Sequence, residues 1–286
     1  MTEIVGTLPS VQPVGRTRSR VGRRPLVVVV AGSYVALAVL VTVLVPFLPI
    51  HGPNEQDLAN TLAPITGSHW LGTDDLGRDL LSRLLWGVHT SFLAGLTAVG
   101  VAMLVGLPLG LLAGYLGGWV DQVLSRLADV VLAVPALILL LAAQTALDTG
   151  IQGQMAVLGG IFAPRVLRVV RAETMRLSRA PFVLAGRMSG CSHSRILGRY
   201  LMPGVRAQLV VQLSYLLGLA MVIEAGISFL GVGVKPPEAS LGTLLIGASG
   251  LLSSEPRVVL VPAAVLTLLI LSLNLFGDSL TEERKK

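Results

Sequence analysis

The sequence predicts an all-α membrane protein with six transmembrane helices and both termini in the cytoplasm. Two features of composition and one of arrangement lead there. Of 286 residues, 53% are hydrophobic and only 13% are charged, against about 25% charged in an ordinary soluble domain. The mean hydropathy is +0.76, and a chain so poor in charge cannot cover a water-facing surface. The arginines behind the net charge of +6 gather at the ends of long apolar runs. A nucleic-acid binder instead carries its basic face on a charged, soluble body, so the placement reads as membrane topology, with lipid rather than nucleic acid as the partner. Cys191 is the only cysteine, which excludes an intrachain disulfide and a cysteine-based metal cluster.

Residues 1–24 form a basic tail bearing Arg16, Arg18, Arg20, Arg23 and Arg24. Residues 25–50 contain no charge and make the first span, since about 20 apolar residues cross the hydrocarbon core. A signal peptide is the rival reading. The run is longer than a signal's apolar core and no small-residue cleavage site closes it, so an uncleaved anchor is expected. Residues 51–90 set Glu55, Asp57, Asp74, Asp75 and Asp79 against Arg78 and Arg83 and read as an external segment. A five-helix core follows over 91–277, with spans expected at 91–116, 127–147, 155–167, 209–230 and 258–276. The fourth is short because Arg165 and Arg168 enter it; a helix that runs on into the cytoplasm accommodates both. Between the fourth and fifth spans, residues 165–206 hold nine arginines opposed by Glu173 alone, which marks a cytoplasmic loop. Residues 278–286 form a second cytoplasmic tail ending in Arg284, Lys285 and Lys286.

Inside the second span, Gly106, Gly110 and Gly114 repeat at four-residue intervals around Pro108. Such a small-residue stripe lets a neighbouring helix approach closely, although membrane helices are Gly-rich in general. Pro135 is expected to kink the third span. Asp129 and Glu224 are the ionisable groups within the spans, where a proton relay would be sought. Neither has an evident charged partner in the sequence, and a structural role is the better reading for both.

The cytoplasmic loop has the punctuation of two short helices. Pro181 suits a first helical position, Phe182, Ala185 and Met188 recur at helical spacing, and Gly190 supplies a stop. Ser192 is a candidate N-cap for a second helix, expected to end at Pro203-Gly204. Such a hairpin suits a groove on another protein; the alternative is a helix lying on lipid headgroups, held by its arginines.

The stretch from Pro181 to Gly190, followed by Tyr200-Leu-Met-Pro203, is similar to the Glu-Ala-Ala loop of binding-protein-dependent ABC importers. Ala185, Gly190 and Pro203 stand at that pattern's positions, with Leu184 in place of its Glu, Gly186 of an Ala, and Tyr200 and Met202 of Ile and Leu. Residues 69–83, from His69-Trp-Leu-Gly-Thr-Asp-Asp to Arg83, resemble the external segment before the second span in the dipeptide/oligopeptide/nickel permease family. Residues 227–242, beginning Ile227-Ser-Phe-Leu-Gly-Val-Gly, resemble the end of its fifth span, and Gly117-Gly-Trp-Val-Asp121 its turn between the second and third. The arrangement resembles that of the "C"-type subunit, with one span before a five-span core.

This resemblance implies the type I ABC importer permease fold in a bacterial plasma membrane. It implies half of a translocation pathway for di- or oligopeptides, or for nickel or a metal chelate. It also implies the partners: a second homologous permease, two ABC ATPase subunits or one fused ATPase, and an external substrate-binding protein. Phe182, Leu184, Ala185, Gly186, Gly190 and Pro203 would then form the ATPase-docking loop. A phosphate-binding loop needs a Lys after Gly and before Ser or Thr, and Lys235, Lys285 and Lys286 do not meet this. The chain is therefore expected to be no enzyme and to hold no cofactor, with ATP-Mg bound by the partner ATPase. A non-transporting membrane scaffold and a proton-coupled carrier are the readings from other classes.

Overall fold

A computed structural model describes residues 25–147, 150–246 and 248–282. The basic tail over 1–24 and the last four residues of the C-terminal tail lie outside the described residues. The described chain is helical, with one isolated bridge between Thr73 and Asp79. Its elements are α1 (Pro25–Leu44), α2 (Leu80–Leu116), α3 (Gly118–Ala133), α4 (Ala136–Leu147), α5 (Ile151–Ser178), α6 (Pro181–Met188), α7 (His193–Arg195), α8 (Met202–Phe229), α9 (Ala248–Leu251) and α10 (Pro256–Glu282). A π-helical turn over Ile196–Leu201 joins α7 to α8.

Among the described residues, four helical stretches are long and apolar enough to cross a membrane: Leu26–Phe47, Leu80–Leu116, His193–Phe229 and Pro256–Ser279. The α3–α4 pair is a fifth candidate, bent by 86°. The span expected over 127–147 is therefore not one kinked helix but two. The cause is local: Pro135 disfavours helical backbone at the residue before it, and Val134 is extended at φ −97° and ψ 133°. Alone, the 12 residues of α4 reach only about 18 Å, short of the hydrocarbon thickness. The second span also starts earlier than its hydropathy suggests. Asp79 accepts the Ser82 N–H through its side chain at 2.7 Å and launches α2 from Leu80.

Helix directions follow from which residues meet. Gly159 of α5 faces Ala98 and Val101 of α2, while Gly106, Gly110 and Gly114 face positions that climb from Ala163 to Thr174. Rising numbers meet rising numbers, so α2 and α5 run parallel. Gly218 of α8 meets Ile270 and Asn274 of α10, and Gly277 meets Val211 and Ser214, so these two are antiparallel. Gly95 of α2 meets Leu217 and Met221 of α8, and Gly87 meets Leu244 beyond it, again antiparallel. The buried core runs between these helices through Phe92, Ala98, Phe162, Val166, Leu216 and Met221. One end of the bundle carries α6 and α7. The other carries the segment over 51–79 and the turn over 231–245.

Candidate functional site: the helical hairpin and its supports

The segment from Ser178 to Pro203 folds as the loop signals predict in its first half and differently in its second. Pro181 opens α6, where its missing N–H costs nothing. The helix ends in a paired-bond cap: Gly190 N–H donates to Arg187 O (3.0 Å) and Cys191 N–H to Gly186 O (3.1 Å). Gly190 holds φ +74°, the left-handed conformation this cap needs and a residue with a Cβ rarely adopts. Ser192 occupies the N-cap of α7 but its side chain makes no capping bond.

The expected stop at Pro203 does not occur. Helix continues from His193 to Phe229, because the π-turn before Pro203 uses longer bonds, with Met202 N–H donating to Leu197 O. The widened turn absorbs a proline that would break a regular α-helix.

The hairpin has distinct inner and outer faces. Val183, Ile196 and Leu201 are buried. Gly186 also points inward, where a Cβ would meet Tyr200 Cζ at 3.6 Å, an ordinary contact. Outward lie Phe182, Leu184, Ala185 and Met188, with Met188 89% exposed. Arg179, Arg187, Arg195 and Arg199 are exposed on the same segment. Of the residues the sequence singles out in the loop, the structure thus brings Phe182, Leu184 and Ala185 to the surface of α6. Gly186 lies beneath them, Gly190 sits at the turn, and Pro203 lies at the start of α8. An exposed apolar face on an arginine-rich segment can enter an apolar groove with an acidic rim.

The hairpin stands on the α2–α5 pair. A Cβ on Gly106 would lie 2.5 Å from Ala163 O, one on Gly110 2.7 Å from Val170 Cβ, and one on Gly114 2.6 Å from Arg171 O. The three glycines therefore let α2 touch α5 backbone to backbone. Past the stripe, Tyr115 is buried against the hairpin. Its hydroxyl hydrogen-bonds His193 Nδ1 at 2.7 Å, and the Arg187 guanidinium lies 4.7 Å from its ring centroid. No sequence signal marked Tyr115 or His193, since 78 residues separate them.

Two carboxylates gain partners that were not evident in the sequence. Asp129 pairs with Arg168 at 2.5 Å. Asp121 takes both Nε and Nη2 of Arg171, the latter at 2.6 Å. Arginines that read only as loop charges thus fasten α3 to α5. Glu224 is fully buried and has no charged partner among the described residues. Ser228 Oγ donates to its Oε1 at 2.8 Å, and the hydroxyls of Ser91 and Ser240 stand beside the same carboxyl. Both have already accepted backbone N–H groups, from Leu241 at 3.0 Å and Thr243 at 3.1 Å, and so keep a proton to offer. Oε2 itself has no hydrogen bond in this arrangement. The cluster joins α2, α8 and the turn after α8.

At the opposite end the segment over 51–79 is tightly built. Asp74 accepts the N–H groups of Leu76 and Arg78 at 2.9 Å each and the Arg78 Nε at 2.7 Å, with Arg83 Nε 3.3 Å away. Arg83 Nη1 reaches Pro53 O (2.9 Å) and Pro237 O (3.3 Å). Asn60 and the Ala59 N–H hold the Asp57 carboxyl below its ordinary pKa. Arg257, at the start of α10, donates to Leu62 O (3.0 Å), Ala63 O (2.7 Å) and Leu71 O (3.4 Å). One sequence feature could have flagged Arg257. It is an arginine at the end of a span that the charge rule assigns outside, where a basic residue needs a specific purpose.

Comparison with known proteins finds likeness over most of the chain. A family model described as "Binding-protein-dependent transport system inner membrane component" matches residues 106–282, more than half of the chain. The glutathione transport system permease protein GsiD of Pectobacterium atrosepticum is 34% identical over 91% of this chain and 86% of its own length. The dipeptide transport system permease protein DppC of Alkalihalophilus pseudofirmus is 32% identical over 85% and 80%. The oligopeptide transport system permease protein OppC of Mycobacterium bovis is 34% identical over 83% and 82%.

Proposed function

Since the chain belongs to the family of binding-protein-dependent transport system inner membrane components, we propose that it forms half of the pathway of an ATP-driven importer for small peptides. A second homologous permease completes the pathway. Two ATPase subunits, or one fused ATPase, dock at the hairpin end, and an external binding protein delivers substrate at the other. The observation that carries this reading is the likeness at 31–34% identity, over more than four-fifths of the chain, to permeases named for dipeptides, oligopeptides and glutathione. Glutathione is itself a small γ-linked peptide, so the three names share a chemistry. A nickel or metal-chelate substrate is the second reading within the same resemblance.

The topology belongs to this proposal. In it α5 is the fourth of six spans, although Gln152, Gln154, Arg165 and Arg168 make it less apolar than α1, α2, α8 and α10. Its parallel packing along α2 supports the assignment, because two parallel neighbours cross in the same sense. With the arginine-rich hairpin inside, the ends of α2, α5 and α10 and the start of α1 all fall on the cytoplasmic side. ATP binding closes the ATPases and moves the hairpin, with Phe182, Leu184, Ala185 and Met188 as its contact face.

Uptake of labelled peptides into vesicles containing the whole complex tests the reading. ATP-dependent accumulation of a di- or tripeptide is expected, and accumulation of a nickel chelate without peptide would replace the substrate assignment. Met188→Glu puts a charge on the most exposed apolar residue of the hairpin without disturbing its buried face. It should reduce uptake about ten-fold or more, as expected when a charge is buried unpaired at an interface. Full ATP-coupled uptake by this variant would exclude the hairpin as the docking element.

A further inference from the structure

We propose that Tyr115 is a positioning residue for energy coupling, clamping both arms of the hairpin to the end of α2 so that hairpin movement is passed to the bundle rather than absorbed within the loop. The proposal rests on the reading of the hairpin as the ATPase-docking element.

The hairpin is joined by the chain only to α5 and α8. Its second arm, α7, runs on as helix into α8, but its first arm, α6, lies between two non-helical breaks, Ala180 before it and the turn through Gly190 to Ser192 after it, and the surroundings of Gly190 are open. A short helix with a break at each end can tilt under load while α7 and the spans stay still. Tyr115 opposes that tilt. Its hydroxyl holds His193 of α7, and its ring face carries the Arg187 guanidinium of α6, so a single buried side chain grips the two arms on either side of Gly190. The imidazole also meets the phenol ring edge-on at a centroid distance of 5.6 Å.

The grip matters because of what α2 is. Its 37 residues make a rod of about 55 Å, continuous through Pro108. Its glycine stripe holds α5 at backbone contact along the inner half. At its far end Ser82 Oγ donates to His51 O at 2.5 Å, and Arg83 reaches Pro53 O and Pro237 O. One helix thus carries the hairpin at one end and the 51–79 segment at the other. A conformational signal between ATPase and binding protein has a direct mechanical route along it, provided the hairpin is held to it.

The test uses the complete complex in proteoliposomes, reading ATPase retention, ATP hydrolysis with and without loaded binding protein, and uptake per ATP. Tyr115→Phe keeps the ring under Arg187 and removes only the hydroxyl; His193→Ala removes its partner. Both should retain the bound ATPase and the thermal stability of the parent, yet lose about five-fold in stimulation by loaded binding protein and in uptake per ATP, the factor carried by one hydrogen bond. His193→Asn places an oxygen where Nδ1 stood and should recover most of the coupling. Parental stimulation in both Tyr115→Phe and His193→Ala would overturn the proposal, as would failure of His193→Asn to exceed His193→Ala. If Met188→Glu also transports normally, the docking role of the hairpin itself has failed. If Met188→Glu uncouples and the Tyr115 and His193 variants do not, only the clamp is wrong.

Discussion

Glu224 holds a carboxyl inside the bundle among hydroxyls rather than cations. Three serines from three parts of the chain surround it, and Ser228 also accepts the Val234 N–H at 3.0 Å. This arrangement gives it a structural purpose, fastening the turn after α8 to α2. Glu224→Gln keeps the acceptor that Ser228 uses, so ATP-driven uptake should persist and the melting temperature in detergent should change little. Glu224→Ala strands the hydroxyls in a buried site and should cost about 1–3 kcal/mol, the penalty for buried polar groups without partners. Loss of uptake by a well-folded Glu224→Gln variant would instead assign the carboxyl to proton movement. The sequence could pick out Glu224 as an ionisable group in a span. It could not show Ser91 and Ser240, which are brought to it only by tertiary packing.

At the scale of elements, the decisive contact is α2 on α5. The glycine stripe was legible because its four-residue repeat is a property of one helix. Its partner was not, since α5 presents Ala163, Val166 and Val170 with no comparable periodic mark. Gly110→Ala would place a Cβ 2.7 Å from Val170 Cβ and 2.8 Å from Leu167 O. Forcing the two backbones apart should cost about 1–3 kcal/mol, read as a lower unfolding temperature of the solubilised protein. Gly100 provides the control on the same helix, because nothing lies within 4 Å of its would-be Cβ. Gly100→Ala should be neutral or slightly stabilising, since Ala is the better helix former. Equal effects at the two positions would show that close packing is not what Gly110 serves. Pro135 and Pro203 make the complementary point. Both are prolines expected to interrupt a helix, yet one separates two helices at 86° while the other is carried through a π-turn. The outcome depends on whether the preceding residues widen, and composition alone does not say.

For the whole molecule, opposite ends of the bundle have different constructions. The hairpin end exposes an apolar face on an arginine-rich segment. The other end is closed by backbone carbonyls gathered onto Arg83 and Arg257. Arg257→Ala would leave the carbonyls of Leu62, Ala63 and Leu71 without this donor and loosen the 51–79 segment from α10. Limited proteolysis should then cut within 51–79 faster than in the parent, with the helical core still protected. An unchanged cleavage rate would mean that Arg83 and the Asp74 cluster hold the segment without Arg257. In the complex, the same variant should weaken the binding-protein response while leaving the hairpin end intact.

The chain's own sequence determined the membrane solvent, four of the helical spans, the polarity of the loops, and the Pro181 and Gly190 boundaries of α6. Each is a local quantity: apolar length, charge placement, or a backbone angle that one residue type prefers. Tertiary structure decided that α2 and α5 run parallel, that Asp129 and Asp121 bind arginines of α5, that helix passes through Pro203, and that Tyr115 meets both arms of the hairpin. Those depend on groups separated by tens of residues, whose meeting is set by packing of the whole bundle and leaves no pattern in any one stretch of chain.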